Sequence, residues 1–90
     1  MFAGESKMVR IKFANHLAGT VIDRFGKDVH MSYFDSEHFI VNVTVAVSPQ
    51  FFAWIFGFGS EVEILSPAEV KEQMMTRLRN VEKLYGSAGG

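Results

Sequence analysis

The stretch Val29-His30-Met31-Ser32-Tyr33-Phe34-Asp35-Ser36-Glu37-His38-Phe39-Ile40-Val41-Asn42-Val43-Thr44-Val45-Ala46-Val47 decides the fold. Val29, Met31 and Tyr33 alternate with His30, Ser32 and Phe34; after the polar Asp35-Ser36-Glu37, a longer alternation runs through Phe39, Val41, Val43, Val45 and Val47. Side chains on an extended backbone point to opposite faces in turn, so a two-residue period marks a strand with one buried face. A polar break between two such runs makes them a hairpin.

Working outward toward the N-terminus, Gly26 ends a helix whose apolar residues, Leu17, Ala18, Val21, Ile22 and Phe25, recur at helical spacing, with Asn15 as its expected cap. Before it, Val9, Ile11 and Phe13 alternate with Arg10 and Lys12 as a first strand. Toward the C-terminus, Ser48-Pro49 is a helix start, with Ser48 as cap and Pro49 in the first turn, ahead of Phe51 to Phe58. The Gly57-Phe58-Gly59 stretch closes that helix, and Glu61 to Leu65 form a short strand. Ser66-Pro67-Ala68-Glu69 reads as a capping box in which the Glu69 carboxylate returns to the Ser66 amide. The final helix carries the stripe Val70, Met74, Leu78, Val81 and Tyr85.

The order strand, helix, strand, strand, helix, strand is the split β-α-β arrangement of an α+β, ferredoxin-like antiparallel sheet, here with an additional C-terminal helix. Right-handed crossovers put the first two helices on one face. The buried face is expected to carry Val9, Ile11, Phe13, Val29, Met31, Val41, Val43, Val45, Val62 and Ile64. The other carries Arg10, Lys12, His30, Ser32, Phe34, Ile40, Asn42, Thr44 and Glu63. That second face is mixed, so a partner, another subunit or the last helix is expected to cover part of it. Residues 1–8 read as a disordered or linker N-terminus, 9–85 as the domain and 86–90 as a flexible tail.

Ninety residues make one small domain, and its 48% apolar share is high for that size. The net charge of −1 lacks the basic footprint of a nucleic-acid binder, so direct DNA binding by this segment is not expected. Cysteine is absent, which excludes disulfides and thiolate metal sites and fits a reducing compartment, with the cytoplasm as the default. No apolar run reaches the length of a membrane span.

No arrangement of residues points to catalysis, a metal or a cofactor. His16, His30 and His38 lack chelating spacing, and Glu61 and Glu63, placed on one strand face, lack a sign of desolvation. Gly57-Phe58-Gly59 follows a helix instead of opening one, so its amides are not aimed as a phosphate loop. Ser32, Thr44, Ser48, Ser60 and Ser66 have no His-Asp companions in recognisable order. An RNA-recognition reading fails because Phe34 is the single ring expected on the open sheet face. The least ordinary feature is the second helix, where Phe51, Phe52, Trp54, Ile55, Phe56 and Phe58 leave no polar side. Either all these rings are core, or one side meets a neighbouring domain, a second chain or the last helix, with Phe51, Trp54 and Phe58 as interface candidates.

Phe52-Ala53-Trp54-Ile55-Phe56-Gly57-Phe58-Gly59, then Val62-Glu63-Ile64-Leu65-Ser66-Pro67 and Val70, is similar to the closing segment of the C-terminal extension (WCX) domain of bacterial WYL-domain, helix-turn-helix transcription regulators. Val9 to Phe13 and Val21-Ile22-Asp23-Arg24-Phe25 resemble that family's opening, so the likeness covers most of Val9 to Tyr85. It implies a non-catalytic regulatory or association domain, a C-terminal fragment of a longer regulator whose WYL and DNA-binding parts lie upstream. It implies further that the regulator forms a homo-oligomer, typically a dimer, and responds to an unknown effector. Arg24 matches the family's helix arginine and is the candidate contact for an anionic effector or a partner carboxylate; the alternative is a solvated charge complementing the helix end. A stand-alone small-molecule sensor on the same frame is the competing function.

Overall fold

The computed structural model describes residues 6–89, with side chains through residue 86. The elements are β1 (Ser6–Ala14), α1 (Ala18–Phe25), β2 (Met31–Asp35), β3 (His38–Ala46), α2 (Pro49–Phe56), β4 (Val62–Ser66) and α3 (Ala68–Gly89). Short 3-10 turns precede α1 at Asn15–Leu17 and β4 at Gly59–Glu61. The strands form one antiparallel sheet of order β2-β3-β1-β4, which is the ferredoxin-like arrangement expected from the element order.

The register explains the core. β1 lies between β3 and β4, placing Val9 opposite Val43, Ile11 opposite Val41 and Ile64, and Phe13 opposite Phe39 and Val62. These side chains share one face because the pleat repeats every two residues. On that face they meet Leu17 and Val21 from the α1 end and Phe51, Phe52 and Ile55 from α2. Phe13 stacks on Phe39 at 5.6 Å between ring centroids and touches Trp54 edge-on at 6.1 Å. Met31 and Val43 flank this core and are partly buried.

Several local expectations shift once the chain is folded. Asn15 does not cap α1: its side-chain amide donates to the Ser36 carbonyl at 3.0 Å and its backbone amide to the Glu37 carbonyl at 2.9 Å. The residue thus ties the β1–α1 corner to the hairpin. Ser48 does cap α2, its hydroxyl accepting from the Phe51 amide at 3.3 Å. At α3 the Pro67 carbonyl accepts the first amides, from Val70 and Lys71, and the Glu69 carboxylate pairs with Lys7 on β1 instead of returning to Ser66. Ser66 itself belongs to β4, opposite Arg10. β1 starts at Ser6, inside the stretch read as linker, and α3 continues to Gly89, through most of the stretch read as tail; residues 1–5 and 90 lie outside the described residues. β2 begins at Met31, so Val29 packs on the core from the preceding loop.

The last helix does not cross the open sheet face. Val70 and Met74 join the main core beside α2. The open face is organised by its own side chains: Lys12 Nζ lies 3.0 Å from Glu63 and 5.1 Å over the Phe34 ring. Ile40, opposite Lys12 and Ser32 in register, is 1% exposed although it stands outside the main core. A long cationic side chain can cover apolar surface with its methylene stem.

Candidate association surface

The two sides of α2 are treated differently. Phe51, Phe52 and Ile55 are buried in the core. Toward α1, Trp54 is half-buried in an aromatic cluster, edge-on to Phe25 at 5.6 Å and to Phe58 at 5.0 Å. The Arg24 guanidinium lies 5.0 Å over the Trp54 ring, so it covers the outer face of that cluster through a cation–π contact. Gly59, at φ +63°, lets the chain reverse after Phe58 without the clash a Cβ brings in that region. Of the sequence candidates, Phe51 is therefore a core ring, Trp54 and Phe58 form a half-buried wall, and Arg24 sits at its rim.

Toward α3 the same helix is left open. Phe56 is 55% exposed, next to a C-terminal helix whose apolar stripe emerges from the domain. Val70 is fully buried and Met74 packs on the core, but Leu78 is 39%, Val81 43% and Tyr85 77% exposed. Apolar clefts lie along this seam, two of them reaching the core residues. One, of about 280 Å³, is bounded by Ile55, Phe56, Ile64, Met74 and Met75. The other, of about 220 Å³, is bounded by Phe52, Ala53, Phe56, Leu78 and Val81. Arg77 closes one end of the second, 5.0 Å over the Phe52 ring. These apolar side chains are left exposed along the seam between α2 and α3.

A family model for the WCX domain matches residues 7–81, from β1 into the second half of α3. The chain belongs to the WCX domain family. No curated protein and no solved structure matches it. WCX is a regulatory-type domain and not a known enzyme family. The matched span contains Arg24, Trp54, Phe56 and Leu78, so both sides of α2 fall within the family's domain.

Two histidine–carboxylate pairs of this WCX domain lie at the end of the sheet where Asn15 ties the hairpin. His38 Nδ1 lies 2.8 Å from Asp35, and His16 Nε2 lies 2.7 Å from Glu61. The Glu37 amide donating to the Asp35 carboxylate at 2.8 Å, followed by His38, holds that carboxyl below its ordinary range. Glu61 lies in the turn before β4, so it does not share a strand face with Glu63, which pairs with Lys12. Among the described residues no polar or charged side chain is buried, and no three metal-ligating side chains come together. No helix among them is long and apolar enough to cross a membrane.

The sequence reading missed Phe56. Its signal was present in the helix itself: with Phe52 and Ile55 directed to the sheet, Phe56 is carried round the helix toward α3 by the 100° step per residue.

Proposed function

We propose that this WCX domain is a non-catalytic association domain of a DNA-binding transcription regulator, bringing regulator chains together in the cytoplasm while upstream WYL and helix-turn-helix parts sense the effector and read DNA. The observation that carries this reading is the uncovered apolar seam of Phe56, Leu78, Val81 and Tyr85 on a domain of a regulatory-type family. A small domain gains most from a partner where it leaves such surface exposed. The net charge of −1 fits a role in association better than one on the nucleic acid itself.

The test is a fusion of this chain to a DNA-binding head that represses its operator only as a dimer. The chain is expected to restore repression, and Leu78→Glu to abolish it while the purified variant keeps its helical spectrum. A fusion that expresses and folds but never represses would remove the association reading. A thermal-shift screen of the chain against metabolites addresses the sensor alternative, since a bound ligand raises the melting temperature as its concentration passes Kd.

A further inference from the structure

The apolar stripe of α3 has a spacing that can meet a second copy of itself. Met74, Leu78, Val81 and Tyr85 follow one another at steps of four, three and four residues, the a/d pattern of a coiled-coil seam. That series reads the same in both directions. A surface that meets its own copy across a two-fold axis must be complementary to itself, and a stripe symmetric about a point between residues 79 and 80 satisfies this for antiparallel helices.

We infer that α3 pairs antiparallel with α3 of a second copy, setting Leu78 of each chain against Val81 of the other and Met74 against Tyr85. This proposal rests on the association reading above and names its partner and register. The body of each domain lies at the start of α3, where Val70 is buried and Met74 packs on the core. Antiparallel pairing therefore brings the protruding end of one helix against the body of the other. A parallel pair would place both bodies at the same end and leave both exposed ends facing only each other.

The clefts fit this arrangement. The one of about 280 Å³ lies beside Met74, where the register delivers Tyr85 of the second copy. Its walls are Ile55, Phe56 and Ile64, which suit the ring, while Glu63 and Lys71 at its margin suit the hydroxyl. The second cleft, beside Leu78 and Val81, receives the matching pair at the centre of the seam. The 22 residues of α3 extend about 33 Å, and its exposed half has no other layer among the described residues to pack against.

The chain contains no cysteine, so introduced thiols report on contacts without background. Met74→Cys and Tyr85→Cys chains are mixed and oxidised. The expected result is a mixed disulfide forming at least tenfold faster than either chain links to itself. Identical positions eleven residues apart in register lie about 16 Å from each other along the axis, beyond the roughly 7 Å Cα separation a disulfide spans. Thermal unfolding of each variant confirms that it is folded, and Leu78→Cys and Val81→Cys, whose identical positions lie only about 4.5 Å apart along the axis in this register, are expected to link both to each other and to themselves. Fast self-linking of Met74→Cys would overturn the antiparallel register in favour of a parallel one. Dimers in sedimentation with no 74–85 or 78–81 link would overturn the register and leave the association reading standing. A folded chain that is monomeric at every concentration would overturn both.

Discussion

Trp54 and Phe56 stand two residues apart on α2, and the chain handles them in opposite ways. Trp54 is enclosed by its own molecule: Phe25 and Phe58 meet it edge-on, Phe13 lies beneath and Arg24 covers it. Phe56 receives no such enclosure and stays 55% exposed beside an equally uncovered α3. The outer side of α2 carries the exposed Gln50 and Ala53, so the contrast lies between the two flanks that hold the large rings. Here one side is closed by intramolecular aromatic packing and the other leaves Phe56 exposed, the side on which the proposed association would act.

Substitutions can break that separation. The largest loss is expected at Phe13, which is fully buried between Phe39 and Trp54; Phe13→Ala is expected to cost about 3–5 kcal/mol in chemical denaturation, enough to approach unfolding of a small domain. Trp54→Ala removes a half-buried ring from the same cluster and is expected to cost roughly 2 kcal/mol while leaving the sedimentation coefficient of the dimer unchanged. If Trp54→Ala dissociated the chain at constant fold, the division between the two sides of α2 would be wrong.

Leu78→Glu reverses the pattern. It places a charge on the open seam, and the expectation is a dimerisation constant weakened at least tenfold, or about 1.4 kcal/mol, with the melting temperature of the monomer barely moved. Arg24→Gln sharpens the comparison from the enclosed side: loss of the exposed cation–π contact is expected to cost about 0.5–1 kcal/mol in denaturant unfolding without altering assembly.

The smallest effect concerns Asp35, in the hairpin turn beside His38 and Phe39. Its carboxyl is held below the ordinary value of 3.8 by the Glu37 amide and His38, so folding favours the ionised form. A depressed folded pKa contributes stability above the unfolded value, and that contribution disappears as pH falls through the folded one. Asp35→Asn is therefore expected to flatten the acid limb of a melting-temperature profile below about pH 3.8, with little change near neutrality.

Much of this was legible from residues in order. The alternation from Val29 to Val47 announced the hairpin, and Ser48-Pro49 announced α2, because strand pleat and helix capping involve neighbours in the chain. The aromatic content of α2 marked it as the place to look. Which ring faces outward was harder to read. The candidates Phe51, Trp54 and Phe58 fall on the sides that meet the sheet and α1, whereas Phe56 falls on the side toward α3.

The order of elements, the buried face of β1, the ferredoxin-like topology and the apolar stripe of α3 follow from the residues in order. These depend on backbone periods that act over a few residues. Only the tertiary structure decided that Asn15 serves the hairpin instead of α1, that Glu69 pairs with Lys7, and that α3 lies beside α2 with Phe56 and the end of its stripe uncovered. Those outcomes depend on which distant side chains the sheet register and helix packing bring within reach, and spacing along the chain does not encode that reach.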